Sequence, residues 1–130
     1  TSLEVLCTFT FERTVSGTYR TMMGVSPGEA ATASVAAGAH GVGANCGQGI
    51  EGFIPICKKL NAATALPLWM KPNAGLPEMV NGEVVYRTGA EEFARHVPAL
   101  LENGACFLGG CCGTGAEFIT EIRRAIEGKK

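Results

Sequence analysis

The chain has 130 residues and a formal net charge of −1, with 11 Lys and Arg residues against 12 Asp and Glu residues. This length accommodates one modest domain. There is no basic stretch interleaved with aromatic residues, and the apolar runs fall short of the roughly 18 residues that a membrane-spanning helix needs. We therefore expect neither a nucleic-acid nor a membrane partner.

The six cysteines bear on the cellular compartment. Disulfide frameworks belong mainly to short secreted chains, and the N-terminal residues do not have the pattern of a secretion signal, so we expect reduced thiols and a cytoplasmic protein. Cys7, Cys57 and Cys106 are isolated cysteines, which we expect to be buried apolar residues. Because the sequence starts at Thr1 instead of Met, we expect it to be a piece of a longer protein.

The first strand–helix unit is predicted from local patterns. Residues 3–11 are rich in β-branched and aromatic residues, which is typical of a strand, and a loop is expected from there to Gly24. A helix is then predicted from Ser26 as the N-cap, with Glu29 completing a capping box, to Gly38.

The middle of the chain repeats this order. Residues 41–45 predict a short buried strand, and residues 50–64 predict a helix with one apolar face and Pro55 in its first turn. Residues 66–71 predict a third strand, which ends at the turn sequence "PNAGLP".

The third helix and the fourth strand follow a polar stretch. Residues 88–104 predict a helix that opens with a capping box of Thr88 and Glu91 and kinks at Pro98. Residues 105–110 predict the fourth strand.

A last helix is predicted to open with a capping box of Thr114 and Glu117, which completes four strand–helix units. This alternation indicates an α/β fold with parallel strands and right-handed crossovers. Either an open doubly wound sheet or part of a (β/α)8 barrel fits the pattern. A barrel normally takes about 250 residues and eight units, so residues 1–130 would form about half of one.

Candidate chemistry lies where the predicted strands end. Cys46 follows the second strand, Asn73 the third, and Cys111 with Cys112 the fourth. In parallel α/β architectures the loops after the strands converge, and ligands and catalytic groups collect there. Three thiols at this edge match a zinc site with one open position, and the glycines beside the adjacent pair allow both side chains to turn the same way.

Spacing alone leaves alternatives open for these cysteines. Cys46 by itself has the pattern of a buried apolar residue, and Cys111 with Cys112 could instead form a strained, redox-active disulfide. Asn73 could simply be an asparagine that tolerates a tight turn.

Three motifs together resemble the homocysteine S-methyltransferase family: "GANCGQG" at 43–49, "KPNAGLP" at 71–77 and "GGCCGT" at 109–114. The resemblance covers essentially the whole chain and is nearest to the homocysteine-binding barrel of the cobalamin-dependent methionine synthases. It implies that residues 1–130 are a partial homocysteine-binding domain, the C-terminal half of a (β/α)8 TIM barrel.

The resemblance also implies a chemistry. Zinc would be bound by Cys46, Cys111 and Cys112, homocysteine would add a further sulfur ligand, and a methyl group would pass to that sulfur to give methionine. Asn45 and Asn73 are candidate substrate contacts, and the Asn73 oxygen is also a candidate ligand for the open metal position. The "PNAGLP" motif favours a methyl-corrinoid donor, methylcobalamin, charged from methyltetrahydrofolate and carried by another domain or protein.

Two other hypotheses stand beside this one. The chain could be a non-catalytic zinc-binding or assembly module, or a dithiol redox protein that uses Cys111 and Cys112. Half a barrel has unpaired strand edges, so we expect dimerisation or a missing N-terminal half, and weak or no activity in the isolated chain.

Overall fold

The computed structural model describes residues 2–128 of the chain. In chain order its elements are β1 (Leu6–Phe9), β2 (Glu12–Arg13), β3 (Tyr19–Arg20), α1 (Pro27–Ala36), β4 (Gly41–Cys46), α2 (Ile50–Ala63), β5 (Leu68–Pro72), β6 (Pro77–Val80), β7 (Glu83–Tyr86), α3 (Ala90–Ala94), α4 (Val97–Glu102), β8 (Ala105–Leu108) and α5 (Ala116–Gly128). Within the described residues, no helix is both long and apolar enough to cross a membrane.

Four strands form one parallel sheet in the order β1-β4-β5-β8. Each of these strands is followed by at least one helix before the next begins. The predicted α/β fold of four parallel strand–helix units is therefore confirmed, because all four predicted strands form within or next to their predicted residues.

One face of the sheet packs against helices. Helix α2 contacts β4 and β5, and α4 contacts β8. Alternate strand residues point into this layer, so Val42, Leu68 and Met70 are fully buried. The rest of the core comes from the helices, chiefly Phe53, Ile56, Cys57, Leu60, Phe93, Val97, Leu100, Phe118 and Ile122.

The opposite face of the sheet is largely open. On β5, Trp69 and Lys71 are half-buried while their neighbours in the strand are buried, and the Lys71 ammonium lies 4.3 Å from the Trp69 ring centroid. Gly43 and Phe107 flank Trp69 in the same row, and Phe107 is 51% exposed. At the edge of the sheet, Leu6 is also exposed. This open face is where a closed barrel would have its interior.

Helix α1 forms as its sequence predicts. The Ser26 hydroxyl accepts a hydrogen bond from the Glu29 N–H at 3.2 Å, and the Glu29 carboxylate accepts one from the Ser26 N–H at 2.8 Å. The helix ends just before Gly38, which has a φ of 85°. The capping box is confirmed, because all of its parts lie within four consecutive residues.

Helix α2 differs from its prediction in one respect. It begins at Ile50, so Pro55 lies in its second turn and the prediction of the first turn was wrong. Proline has no N–H, so the Glu51 carbonyl loses its helical partner. The apolar face compensates, since Phe53 and Leu60 are both fully buried.

The predicted third helix is two helices, α3 and α4, separated at Arg95 and His96. The prediction of one kinked helix was wrong. Pro98 supplies no N–H to the Ala94 carbonyl, so a continuous helix would lose this hydrogen bond, whereas proline is well tolerated in the first turn of a new helix. The first helix therefore ends at Ala94, and the second begins at Val97 with Pro98 in its first turn.

Two predicted capping boxes are not used. Helix α3 has Gly89 as its N-cap, so Thr88 lies outside the box position. Helix α5 begins at Ala116, and the Thr114 hydroxyl donates to the Cys111 carbonyl at 2.7 Å instead. In both places the threonine satisfies the box pattern in sequence, but the chain enters the helix one residue later.

Two antiparallel hairpins, β2–β3 and β6–β7, replace segments that were predicted as loop or left unassigned. The second hairpin turns at Asn81 and Gly82, whose φ values are 50° and 81°. Asn-Gly is the preferred pair for such a two-residue turn, so this hairpin carried a sequence signal that was missed. Its register places Tyr86 opposite Pro77, the last residue of the "KPNAGLP" motif.

The isolated cysteines differ in how far they are buried. All six cysteines are free, and Cys57 is buried between α2 and α4. Cys106 is exposed and Cys7 is half-buried, so the prediction of burial was wrong for both. Cys106 lies where the register between β5 and β8 shifts, and Cys7 lies on the edge strand β1.

The close pairing of β4 and β5 depends on Gly43. A Cβ there would overlap the Trp69 carbonyl oxygen, a backbone atom that has no room to move. We expect Gly43→Ala to lower the free energy of unfolding by about 3 kcal/mol or more, measured by urea denaturation. Gly28→Ala is the control, because its Cβ would lie 4.0 Å from Ala63 Cβ in ordinary contact. A Gly43→Ala variant as stable as the Gly28→Ala variant would contradict this account.

Candidate metal centre

Three cysteines meet at the carboxyl edge of the sheet. The Sγ atoms of Cys46, Cys111 and Cys112 all lie within 4.8 Å of one another, and those of Cys46 and Cys111 are 3.1 Å apart. Cys46 is the last residue of β4, and the other two lie in the loop between β8 and α5. Within residues 2–128 this is the one such cluster of potential metal ligands.

The backbone of Cys46, at the end of β4, does not have the extended conformation of a strand. Its φ is +61°, in the left-handed region that non-glycine residues rarely adopt. The Asn45 amide group donates to the Cys46 sulfur at 3.2 Å and also lies 3.4 Å from the Thr10 hydroxyl. Backbone strain of this kind costs about 1–3 kcal/mol and is found mainly at functional sites.

The loop that carries the adjacent cysteines is tied to the end of β5. The Cys111 N–H donates to the Pro72 carbonyl at 2.9 Å, and the Cys111 carbonyl accepts from the Thr114 N–H at 3.2 Å. Gly113 has a φ of +79°, and a Cβ there would overlap the Tyr86 ring. This tight turn brings both neighbouring thiols to the same side, as the flanking glycines predicted.

Asn73 connects the two cysteine-bearing loops. It is 8% exposed; its amide group donates to the Gly47 carbonyl at 3.0 Å, and its oxygen accepts from the Cys112 N–H at 2.9 Å. An amide oxygen has two lone pairs, so the Asn73 oxygen can accept a second interaction besides the hydrogen bond from the Cys112 N–H. That the same oxygen is a metal ligand, and that Asn45 or Asn73 contacts substrate, stay predictions.

The thiols of the cluster differ in proton affinity. The pKa of Cys46 is raised, chiefly by the hydrogen bond to Cys111 and by burial. The pKa of Cys111 is lowered, because hydrogen bonds from Cys46 and Cys112 outweigh the opposing effect of burial. Away from the cluster, burial raises the pKa of Cys57 to about 11. Cys111 is thus the easier thiol of the pair to ionise, and Cys57 is poorly suited to bind a metal.

The cluster fits a zinc ion. Zinc–sulfur bonds of about 2.3 Å in tetrahedral geometry place the sulfur atoms about 3.8 Å apart. The observed separations, from 3.1 Å to no more than 4.8 Å, bracket this value. Thiolates are also the soft ligands that zinc accepts readily.

Comparison with known proteins assigns the chain to a family. The family model described as homocysteine S-methyltransferase matches residues 1–126. The chain belongs to the homocysteine S-methyltransferase family. It is 31% identical over 114 residues to a methionine synthase of Mycobacterium tuberculosis (strain ATCC 25618 / H37Rv) and 30% identical to one of Mycobacterium leprae (strain TN). Each match covers 87% of this chain and 10% of the relative, so the chain spans about a tenth of their length.

Solved structures agree on the fold. The homocysteine methyltransferase MmuM from Escherichia coli matches in its apo form with a TM-score of 0.62 and 22% identity, over 81% of this chain and 34% of that one. Its metallated form matches with a TM-score of 0.57 and 23% identity, over 78% and 30%. The chain therefore has the fold of a fragment of the TIM barrel, which confirms the predicted fold class.

The site residues predicted from the sequence did not include one polar side chain that lies beside the cluster. Tyr86, at the end of β7, packs its ring against Gly113 beside the cluster, and burial followed by Cys112 raises its pKa. The Asn81-Gly82 turn would have predicted the β6–β7 hairpin and so placed Tyr86 beside the "KPNAGLP" segment.

Zinc should protect the clustered cysteines from alkylation. We expect iodoacetamide at about pH 8 to modify Cys46, Cys111 and Cys112 in the metal-free chain and to leave them unmodified after one equivalent of zinc, since bound thiolates are not free to react. Mass spectrometry of peptides reports each site. Exposed Cys106 is the internal control and should react in both samples, whereas Cys57 should react in neither. Equal labelling of Cys46 with and without zinc would count against a shared site.

Proposed function

We propose that this chain is the zinc-binding part of an enzyme that transfers a methyl group to the thiol of homocysteine and so produces methionine. The observation that carries the proposal is the convergence of three sulfur atoms, from two separate loops, within 4.8 Å at one edge of the sheet. Membership of the homocysteine S-methyltransferase family supports the reaction class. The chain spans only a tenth of its methionine synthase relatives, so the full activity belongs to a longer protein or an assembly.

The three cysteines would hold the metal and leave one tetrahedral position for the substrate sulfur. Zinc, when bound there, would keep the homocysteine thiol deprotonated at neutral pH, where a free thiol with a pKa of about 8.5 is mostly protonated. The Asn45 amide steadies the Cys46 sulfur, and the Asn73 oxygen holds the Cys112 backbone. These bonds keep the ligand atoms oriented before the substrate arrives.

The substrate is proposed to approach along the open face of the sheet. On this face Asn45 of β4 pairs in register with Lys71 of β5, and Asn45 directly precedes Cys46 in the chain. Its amide group donates to the Cys46 sulfur, and we propose that a substrate thiol bound to the same metal would lie within its reach. This position supports Asn45 as a substrate contact, and Asn73, which is 8% exposed, would contact substrate only through its oxygen.

The methyl donor is proposed to be a methyl-corrinoid, methylcobalamin, charged from methyltetrahydrofolate. The "KPNAGLP" motif and the likeness to two methionine synthases favour this donor over a small-molecule one. The corrinoid would be carried by another domain of a longer chain or by a partner protein. The six free thiols are consistent with the proposed cytoplasmic location.

A second candidate function is a non-catalytic zinc-binding or assembly module. It is favoured by the open face, where Phe107 is 51% exposed and Leu6 is 42% exposed, and by the outer edges of β1 and β8, which pair with no further strand among residues 2–128. Such surfaces bind other chains readily. The two candidates differ in whether the metal centre responds to homocysteine.

Metal content and metal ligation test the enzyme proposal. We expect about one zinc per purified chain, and its loss in the Cys111→Ser/Cys112→Ser double variant, because one remaining thiolate does not hold the ion. The Cys106→Ser variant, which alters an exposed cysteine outside the cluster, should keep its zinc. X-ray absorption at the zinc edge should show one additional sulfur ligand when homocysteine is added. A tetrahedral site that does not respond to homocysteine would favour the module instead.

The open face predicts self-association of the isolated chain and weak or no methyl transfer by it. Phe107→Glu should shift the chain toward monomer in analytical ultracentrifugation, since a charge on this face opposes burial of its apolar surface. Ile119→Glu is the matched control, because Ile119 is 52% exposed on α5, away from the strands of the sheet. A wild-type chain that is a stable monomer, or that methylates homocysteine strongly by itself, would contradict this prediction.

A further inference from the structure

Lys71 lies on the open face of the sheet, just before the edge that carries the metal centre. Its strand, β5, runs between β4 and β8, the two strands whose ends lead to the cysteines. Lys71 pairs in register with Asn45, which directly precedes Cys46. On its other side, a Cβ at Gly109 would lie 3.8 Å from Lys71 Cγ, and Gly109 comes shortly before Cys111 in the chain. Lys71 is therefore placed between the two segments that supply the cluster.

The Lys71 side chain is a half-buried cation without an acidic partner. Its ammonium group lies 4.3 Å from the Trp69 ring centroid, and Lys71 takes part in none of the ion pairs found among residues 2–128. The face of an aromatic ring attracts a cation but does not neutralise its charge. Because a charge that is partly removed from water is costly unless it is paired, this position favours an anionic group beside the ammonium.

The neighbouring strand residues on the open face supply no charge of their own. Side chains alternate along a strand, so the residues that share this face with Lys71 can be identified from the register of the sheet. They are Leu6, Thr8, Gly43, Asn45, Trp69 and Phe107. Among these strand residues, a ligand on the open face therefore meets one positive charge and no negative one.

We propose that Lys71 binds the α-carboxylate of homocysteine and so makes the site specific for an amino-acid thiol. This inference rests on the proposed function and extends it to substrate recognition. With its sulfur in the open metal position, homocysteine must extend away from the three cysteines. Its carboxylate is joined to the sulfur by a short carbon chain, and successive residues along a strand are about 3.3 Å apart. The open face next to the cluster, where Lys71 lies, is thus where the carboxylate falls.

The charge of Lys71 also determines how the substrate is oriented. The ammonium attracts the carboxylate of homocysteine and repels its α-ammonium group, so the carboxylate turns toward β5 and the amino group turns away from the sheet. Hydrogen bonds between two ionised groups are shorter and stronger than neutral ones. A simple thiol that has no carboxylate would bind the same metal but would gain nothing from Lys71.

The test compares the binding of two thiols to the zinc-loaded chain by isothermal titration calorimetry. One is homocysteine, and the other is 3-aminopropane-1-thiol, which has the same thiol and amino groups but no carboxylate. The wild-type chain should bind homocysteine about tenfold or more tightly than the second thiol. In Lys71→Met, which keeps a side chain of similar length without the charge, this difference should disappear. Lys71→Arg keeps a positive charge and should retain most of the difference.

Lys58→Met is the matched control, because Lys58 is exposed on α2, which packs against the other face of the sheet. It should bind both thiols as the wild type does, and zinc content with circular dichroism checks that each variant is loaded and folded. Equal affinity of the wild-type chain for the two thiols, or an unchanged difference in folded Lys71→Met, would overturn the role of Lys71 and leave the metal centre in place. If the zinc-loaded wild-type chain binds neither thiol, the proposed function fails, and the role of Lys71 fails with it.

Discussion

The parallel pairing of β4, β5 and β8 is the constraint on which the candidate site depends. Because these strands end at the same edge, hydrogen bonds continue past them: the Asn73 N–H donates to the Cys46 carbonyl at 3.0 Å, and the Cys111 N–H donates to the Pro72 carbonyl at 2.9 Å. These backbone contacts bring together thiols that are 65 residues apart in the chain. The cluster is thus a product of sheet register and does not depend on a local sequence motif alone.

The backbone near the cluster adopts geometry that the rest of the sheet does not need. Cys46 has a positive φ, Gly113 has one as well, and Gly43 allows β4 and β5 to approach closely. Strained or crowded backbone persists only where the surrounding structure holds it, and it is common where side chains must converge. Outside the cluster, burial raises the pKa of Cys57 in α2 to about 11, whereas the pKa of Cys111 in the cluster is lowered.

Much of the fold could be predicted because local sequence patterns determine its helices and strands. The capping box of Ser26 and Glu29 is complete within four residues, and the short apolar run at 41–45 predicted the strand that ends at Cys46. The box predicted at Thr88 failed because a threonine and a glutamate at the right spacing do not determine where the chain enters the helix. The left-handed backbone of Cys46 had no sequence signal, since it is imposed by contacts with distant residues.

The central claim is that three protein sulfurs hold one zinc ion and leave a position for the thiol of homocysteine. Anomalous diffraction at the zinc edge from crystals of the zinc-loaded chain tests it most directly. The account predicts one anomalous peak, about 2.3 Å from the Sγ atoms of Cys46, Cys111 and Cys112. A peak bound by other residues, or one that Cys46 does not ligate, would contradict it.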